Sequence, residues 1–356
     1  MQNKSPSQVL SKIIVFDIST IRIFSGRKKL NETDFIGVDT TKLPPSTLAS
    51  LGSKKIIDTT ELNGFSALKR RAHLICESMG IRFLAGYAIP RTQAHVVAQK
   101  LDELQEKFYE LKKEFLANYQ AKIQAWANDH PDHAQQILAA APTQAYVDKH
   151  LQFEYTPFPV AEVGDPILDK SLSSAVTSLS QQLFDEVAAK ASELYQDGIM
   201  GREKITRHIV TSVQTLRNKL QSLEFLDSRV SPVVVLIDHS IGMISKNGPY
   251  EGLEKLAIER LVTLLAAPDE LKMLGQRINE GKSAESEFDM FILQTSSRGN
   301  AENVFETAAV DPPLTPMVPT TSREEVGPVG VEEGSSINAI PGFSSFPVVG
   351  SFAVLN

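Results

Sequence analysis

The amino-acid sequence predicts a mainly α protein: a small N-terminal α+β unit, a long-helix, coiled-coil-like bundle, and a disordered C-terminal tail. Three observations carry this expectation. Two β-rich runs flank one helix in the first ninety residues, a helical apolar stripe then runs from Val97 to Trp126, and periodicity ends near Thr295. The implied divisions are a basic head over residues 1–91, a helical bundle over 92–294 and a tail over 295–356.

Residues 12–24, from Lys12 through Ile13-Ile14-Val15-Phe16 to Phe24, are rich in β-branched and aromatic types, and Gly26 ends the run. A strand followed by a turn is expected there. A turn-rich stretch follows, with Pro44-Pro45 and Gly52. Phe65 to Met79 reads as a helix closed by Gly80. Ile81 to Ile89 reads as a second strand, ended by Pro90.

From Thr92 the period changes. Val97, Leu101, Leu104, Phe108, Leu111, Phe115, Tyr119, Ile123 and Trp126 recur every three or four residues. That spacing is one stripe of an amphipathic helix, with Thr92 as N-cap and Pro131 as stop. At about 1.5 Å rise per residue the helix is on the order of 50 Å long. So long a stripe needs partner helices.

Asp165-Pro166 opens the first partner, with proline at the first helical position. Leu168, Leu172, Val176, Leu179, Leu183, Val187 and Leu194 keep helical spacing up to Gly198. Beyond the break from Asp197 to Gly201, Ile205, Ile209, Val213, Leu216, Leu220 and Leu223 define a second. A short glycine-bounded break between such helices predicts an antiparallel hairpin, which the 92–130 helix would join to complete the bundle. The intervening stretch holds a short helix around residues 134–151 and an extended Phe153 to Pro159. Ser231-Pro232-Val233-Val234-Val235-Leu236-Ile237 has the composition of a buried strand. The spacing of Val233, Ile237 and Ile241 within helical surroundings favours a helix. Gly248 to Ile278 gives one or two further helices, divided at Pro268.

Beyond Thr295, Pro, Gly, Ser and Glu dominate without period, the composition of a disordered tail. Its last twenty residues nevertheless carry Ile340, Phe343, Phe346, Val348, Val349, Phe352 and Leu355. Such an end suits docking as an extended peptide on another surface, or packing on its own domain.

Charge is divided unevenly. Residues 1–100 hold 15 Lys+Arg against 7 Asp+Glu, whereas residues 101–356 hold 21 against 36, and the whole-chain net of −7 conceals the split. The asymmetry concerns partners: an anionic one for the head, or association between the two halves. Apolar content of 42% and charged content of 22% fit a soluble globular protein. The single cysteine, Cys76, excludes an intrachain disulfide framework and sits among apolar residues as a buried small side chain. The N-terminus lacks an apolar signal core, and no uncharged run reaches the ~18–20 residues of a membrane span. The expected location is the cytoplasm.

Candidate chemistry is sparse. His130-Pro131-Asp132-His133 groups metal-capable side chains, but at a helix end beside proline it reads as a solvated turn. Asp238-His239-Ser240 places three triad residue types side by side, and neighbours on a helix point in different directions. No phosphate-loop or dinucleotide fingerprint is present. No cofactor is expected. Composition points instead to the basic steps Arg27-Lys28-Lys29, Lys54-Lys55 and Lys69-Arg70-Arg71 as a surface for an anionic partner.

Three segments together, Ile21 to Leu30, Leu51 to Lys55 and Gly80 to Pro90, resemble a bacterial family of unknown function carried on conjugative elements and plasmids. The amphipathic helix after them fits as well, so the resemblance covers roughly residues 10–280. Members of that family are encoded beside a MoxR-type AAA+ ATPase and a von Willebrand factor A protein. The resemblance implies a third, non-catalytic member of such a set, and it transfers no catalytic role to any residue. The leading expectation is therefore an interaction or adaptor protein of such a system, in phage defence or plasmid maintenance. The alternatives are a nucleic-acid-binding module using the basic head and, third, a metal-dependent enzyme at His130, Asp132 and His133.

Overall fold

The run beginning at Ile13 is apolar at consecutive positions because both of its faces are covered. In the computed structural model, which describes residues 5–35, 39, 42–45, 47–283, 286 and 287, it forms the central antiparallel strand β1 (Ile13–Asp17). Helix α1 (Pro6–Leu10) precedes it. Strands β2 (Arg27–Lys29) and β3 (Ser53–Lys55) make a separate ribbon, and α2 (Asn63–Met79) leads into the hairpin of β4 (Ile81–Phe83) and β5 (Gly86–Pro90). Next come α3 (Arg91–Ala117), α4 (Tyr119–Asn128), α5 (Ala134–Ala140), α6 (Gln144–His150) and β6 (Thr156–Phe158). The last described helices are α7 (Asp169–Gly198), α8 (Arg207–Ser222), α9 (Val230–Gly242), α10 (Gly252–Leu265) and α11 (Pro268–Asn279). The protein is thus mainly α with a small sheet near its N-terminus. No helix among the described residues is long and apolar enough to cross a membrane. The expectations for residues 295–356 lie outside the described residues.

The main sheet runs β4-β5-β1-β6. Ile13 pairs with Pro90 and Phe16 with Tyr87, while Phe16 also faces Pro157 on the other side. Side chains alternate across a sheet, and here each parity enters a different core. Ile13, Val15, Ile81, Phe83 and Ala88 join the buried cluster built from α7 to α11. Phe16, Tyr87 and Ile89 join a second cluster containing α2 to α6 together with Phe65, Phe108 and Phe153. The sheet is a wall between two hydrophobic cores.

Several elements depart from the sequence expectation. The strand expected over 12–24 stops at Asp17, whose Oδ1 accepts the backbone N–H of Ser19 at 2.8 Å and turns the chain. Beyond that turn only Arg22 pairs, with Gln152. The strand expected over 81–89 is a hairpin, turned at Leu84, whose φ of 52° is one that glycine usually supplies. The helix expected over 92–130 breaks at Asn118, which donates its side-chain N–H to the carbonyl of Glu114 at 3.0 Å. Helix α3 also begins at Arg91, ahead of Thr92, after an extended Pro90. Its stripe is buried with α2 and the head rather than with the α7–α8 hairpin. Asp165-Pro166 forms a turn in which Asp165 accepts from Ile167 N–H, and the α-helix proper starts at Asp169. The 134–151 helix is two helices parted by Pro142, and the extended stretch after them pairs as β6, an edge strand that tolerates Pro157.

Other expectations stand. Helix α2 ends at Met79 before Gly80, α9 spans the ambiguous valine-rich run, and Pro268 opens α11. Helices α7 and α8 are antiparallel. Gly198 lies so close to Ile209 that an added Cβ would come within 2.2 Å of its Cδ1, and twelve residues earlier Glu186 meets Lys219.

Lys219 ties the two sides of the molecule together. Its side chain is 10% exposed, and Nζ donates to Glu186 Oε2 on α7 at 2.7 Å and to the carbonyl of Glu77 on α2 at 2.8 Å. The carbonyl belongs to the last turn of α2, where unsatisfied acceptors favour a cation. Asp227, before α9, is held in a second, half-buried group: it accepts from Ser180 Oγ, from the Arg229 backbone N–H and from the Arg229 guanidinium. Burial alone would raise its pKa, but these donors outweigh burial and bring it down to about 2.

Lys219→Ala removes the donor from a half-buried carboxylate and a helix-end carbonyl at once. Urea denaturation should show a loss of about 2–3 kcal/mol, with Lys219→Met costing less because it keeps the packed stem. Asp227 is more acidic folded than unfolded. Its contribution of about 2 kcal/mol is therefore complete above about pH 4 and is lost as pH falls toward 2. Asp227→Asn should lower stability at pH 7, and its deficit against the native protein should narrow between pH 4 and pH 3.

Candidate functional site: a basic two-stranded ribbon

Two of the three basic steps are brought together by strand pairing. Gly26 adopts a positive φ of 65° and packs against Leu62 and Ile57, a place where a Cβ would collide at 2.9 Å and 3.0 Å. That turn starts β2, which pairs with β3 so that Arg27 faces Lys55, Lys28 faces Lys54 and Lys29 faces Ser53. Ile56 and Ile57, fully buried, anchor the end of β3 in the second core. Trp126 on α4 donates its indole N–H to the carbonyl of Lys55 at 3.4 Å.

The two faces of the ribbon differ. Lys28 and Lys54 share one. Lys54 is only 19% exposed and is paired to Asp34, itself 9% exposed, in a turn whose backbone carbonyl accepts from Gln136 on α5 at 3.1 Å. The backbone N–H of Asn31 first, and the Lys54 ammonium second, hold the Asp34 carboxyl below the usual carboxylate range. The opposite face carries Arg27, Lys29, Lys55 and Ser53, all exposed. No ion pair joins Arg27, Lys28, Lys29 or Lys55 to any described residue.

The third basic step is not part of this arrangement. Lys69 spends its ammonium on the carbonyl of Ile21 at 2.9 Å, so it works as an internal tie between α2 and the chain after β1. Arg70 and Arg71 are exposed on α2 without an acidic partner, and no hydrogen bond links them to the ribbon. Of the eight basic residues singled out in the sequence, Lys54 and Lys69 are therefore engaged internally and six project free charge.

The remaining candidates stay apart. His130 Nδ1 lies 2.9 Å from the carbonyl of Trp126 and its ring packs on that indole, while His133 Nδ1 contacts Gln136. Among the described residues no three His, Cys, Asp or Glu side chains are grouped to hold a metal ion. Asp238 forms a two-pronged pair with Arg217 of α8, at 2.5 and 2.7 Å, whereas the Ser240 hydroxyl is buried and donates to the carbonyl of Leu236. Burial, and then the neighbouring Glu77, push the Cys76 thiol up to about 12, which leaves it protonated.

Sequence reasoning missed two features. Tyr87 donates to Glu77 Oε1 at 2.8 Å and therefore accepts from His73 Nδ1 at 2.9 Å, with Arg82 stacked on the Tyr87 ring at 4.5 Å. These residues come from a helix and a hairpin, and no local spacing announces them. Between the sheet end and α8 lies a groove of about 830 Å³, lined by Lys12, Arg91, Thr92, Asn218 and Phe225 among others.

Fold and site define a mainly helical, two-core protein that displays a basic ribbon. The chain belongs to the family described as "Protein of unknown function (DUF3150)", whose model matches residues 10–267. The comparison with curated proteins gives no match, and the comparison with solved structures gives none.

Asp34→Asn should release Lys54 and loosen the ribbon where it stands. Amide hydrogen exchange over residues 27–29 and 53–55 should quicken, while global stability changes by no more than about 1 kcal/mol, as expected for a peripheral pair.

Proposed function

We propose that this protein is a non-catalytic adaptor, one that joins protein partners to an anionic partner held by the basic ribbon. A single observation carries the reading. Arg27, Lys29 and Lys55 project from one face of a positioned ribbon and form no ion pair with any described residue. Charges that serve stability are paired in this molecule, as Lys54, Lys219 and Arg229 are. Unpaired ones aligned on one face serve recognition.

The protein partners follow from the resemblance noted in the sequence. They would be a MoxR-type AAA+ ATPase and a von Willebrand factor A protein of a bacterial mobile element, acting in the cytoplasm in phage defence or plasmid maintenance. The chain carries no nucleotide fingerprint of its own, and in such a set the ATPase supplies the energy.

Tagged protein should co-purify with the ATPase and the von Willebrand protein when the three are co-expressed; consistent absence of both sinks the adaptor role. On a heparin column the native protein should elute at higher salt than Arg27→Ala/Lys29→Ala/Lys55→Ala. Identical elution sinks the ribbon as the anion-docking face.

A further inference from the structure

Resting on the ribbon as an anion-docking face, we infer that its partner is double-stranded nucleic acid, held through the phosphate backbone without sequence selection. Composition separates this partner from an acidic protein. The centre of a protein–protein interface is apolar and aromatic and poor in lysine. The paired strands here read Arg27-Lys28-Lys29 against Ser53-Lys54-Lys55, with no apolar side chain in either. Interfaces with nucleic acid are more polar and far more positive.

Geometry adds a second reason. Arg27 and Lys55 are direct cross-strand partners, and like charges placed so are destabilising. On the other face the equivalent repulsion between Lys28 and Lys54 is relieved by Asp34. On the outward face no ion pair relieves it: Asp58, three residues beyond Lys55, feels the Lys55 charge only at longer range and turns its carboxylate oxygens to Thr60. External phosphates, one at Arg27 and one at Lys55, supply the missing counter-ions. Lys29 stands two residues further along β2, about 6.6 Å away, and meets the next part of the same backbone.

The form of nucleic acid follows from shape and from what the ribbon lacks. A two-stranded ribbon is one of the elements that the major groove of a duplex admits. Single strands are held by stacking bases on aromatic rings. The ribbon offers none, and Trp126 behind it is occupied with Lys55 and His130.

Fluorescence anisotropy of the full chain with a labelled mixed-sequence duplex tests this directly. Three phosphate contacts give a salt slope of about −2.7, so affinity should fall about 40-fold between 50 and 200 mM salt. Arg27→Ala should flatten the slope by about 1, and Arg27→Lys should restore it. Arg27→Ala/Lys29→Ala/Lys55→Ala should weaken binding more than 10-fold, whereas Arg70→Ala/Arg71→Ala, on α2, should leave it unchanged. No binding at 50 mM salt, indifference to the ribbon substitutions, or tighter binding of the matching single strand overturns the inference. Competition by polyglutamate as effective as by unlabelled duplex also overturns it. In that last case heparin retention still depends on the ribbon, so the anion-docking reading survives while the nucleic-acid partner does not.

Discussion

The described fold hangs on a four-stranded sheet whose two central strands, β5 and β1, have no solvent face. Strands in antiparallel sheets commonly bury one side and wet the other. Here β1 sends Ile13 and Val15 into one core and Phe16 into the other, and β5 does the same with Ala88 against Tyr87 and Ile89. A shift of register by one residue would exchange every one of these side chains between cores of different shape. Register is therefore specified twice, once by each core. Helices α2 to α6 and helices α7 to α11 need not pack extensively on each other, because each set packs on its own side of the same wall.

Where α2 meets α8, a polar contact is centred on Glu77. Glu77 offers its carbonyl to Lys219 and its carboxylate to Tyr87, and Arg82 lies 3.7 Å from the same carboxylate. Burial and the Glu77 carboxylate together drive the Tyr87 hydroxyl to remain protonated. Burial first, then Arg82, disfavour the charged form of His73. The network thus has one stable protonation pattern around neutral pH, with a neutral His73 donating to Tyr87 and Tyr87 donating to Glu77. A satisfied network of this kind fixes how the end of α2 sits against α8 and discriminates against alternatives that apolar packing alone would tolerate.

Much of this was legible in the sequence where a pattern is long. The stripes of α7 and α8, the break between them and the proline opening α11 all rest on repeats that tertiary structure has no reason to override. Legibility failed where a pattern is shared. The stripe from Val97 to Trp126 tells that a helix surface is covered, but not by what, and α2 covers it. Asn118 breaks that helix without glycine or proline, and Leu84 turns a hairpin without the residue such turns prefer. The ribbon was half legible. Its basic steps stand out in composition, but they lie more than twenty residues apart, and only pairing reveals that Arg27 opposes Lys55 while Lys54 is spent on Asp34.

A basic ribbon on an acidic protein is also a directional device. Residues 101–356 carry 21 basic against 36 acidic side chains, so this part of the chain as a whole disfavours a polyanion. At physiological ionic strength the field decays over about 8 Å, which confines the attraction of the ribbon to a partner already near it. Attraction at this edge and the acidic balance of residues 101–356 together bias the encounter before any contact forms. Because β3 runs into Ile56 and Ile57 of the second core, and the backbone of Lys55 is held by Trp126, the charges meet that partner from a fixed platform. Positioning costs are then met in the folding of the core, and long lysine and arginine stems supply the adaptability that a sequence-tolerant backbone contact requires.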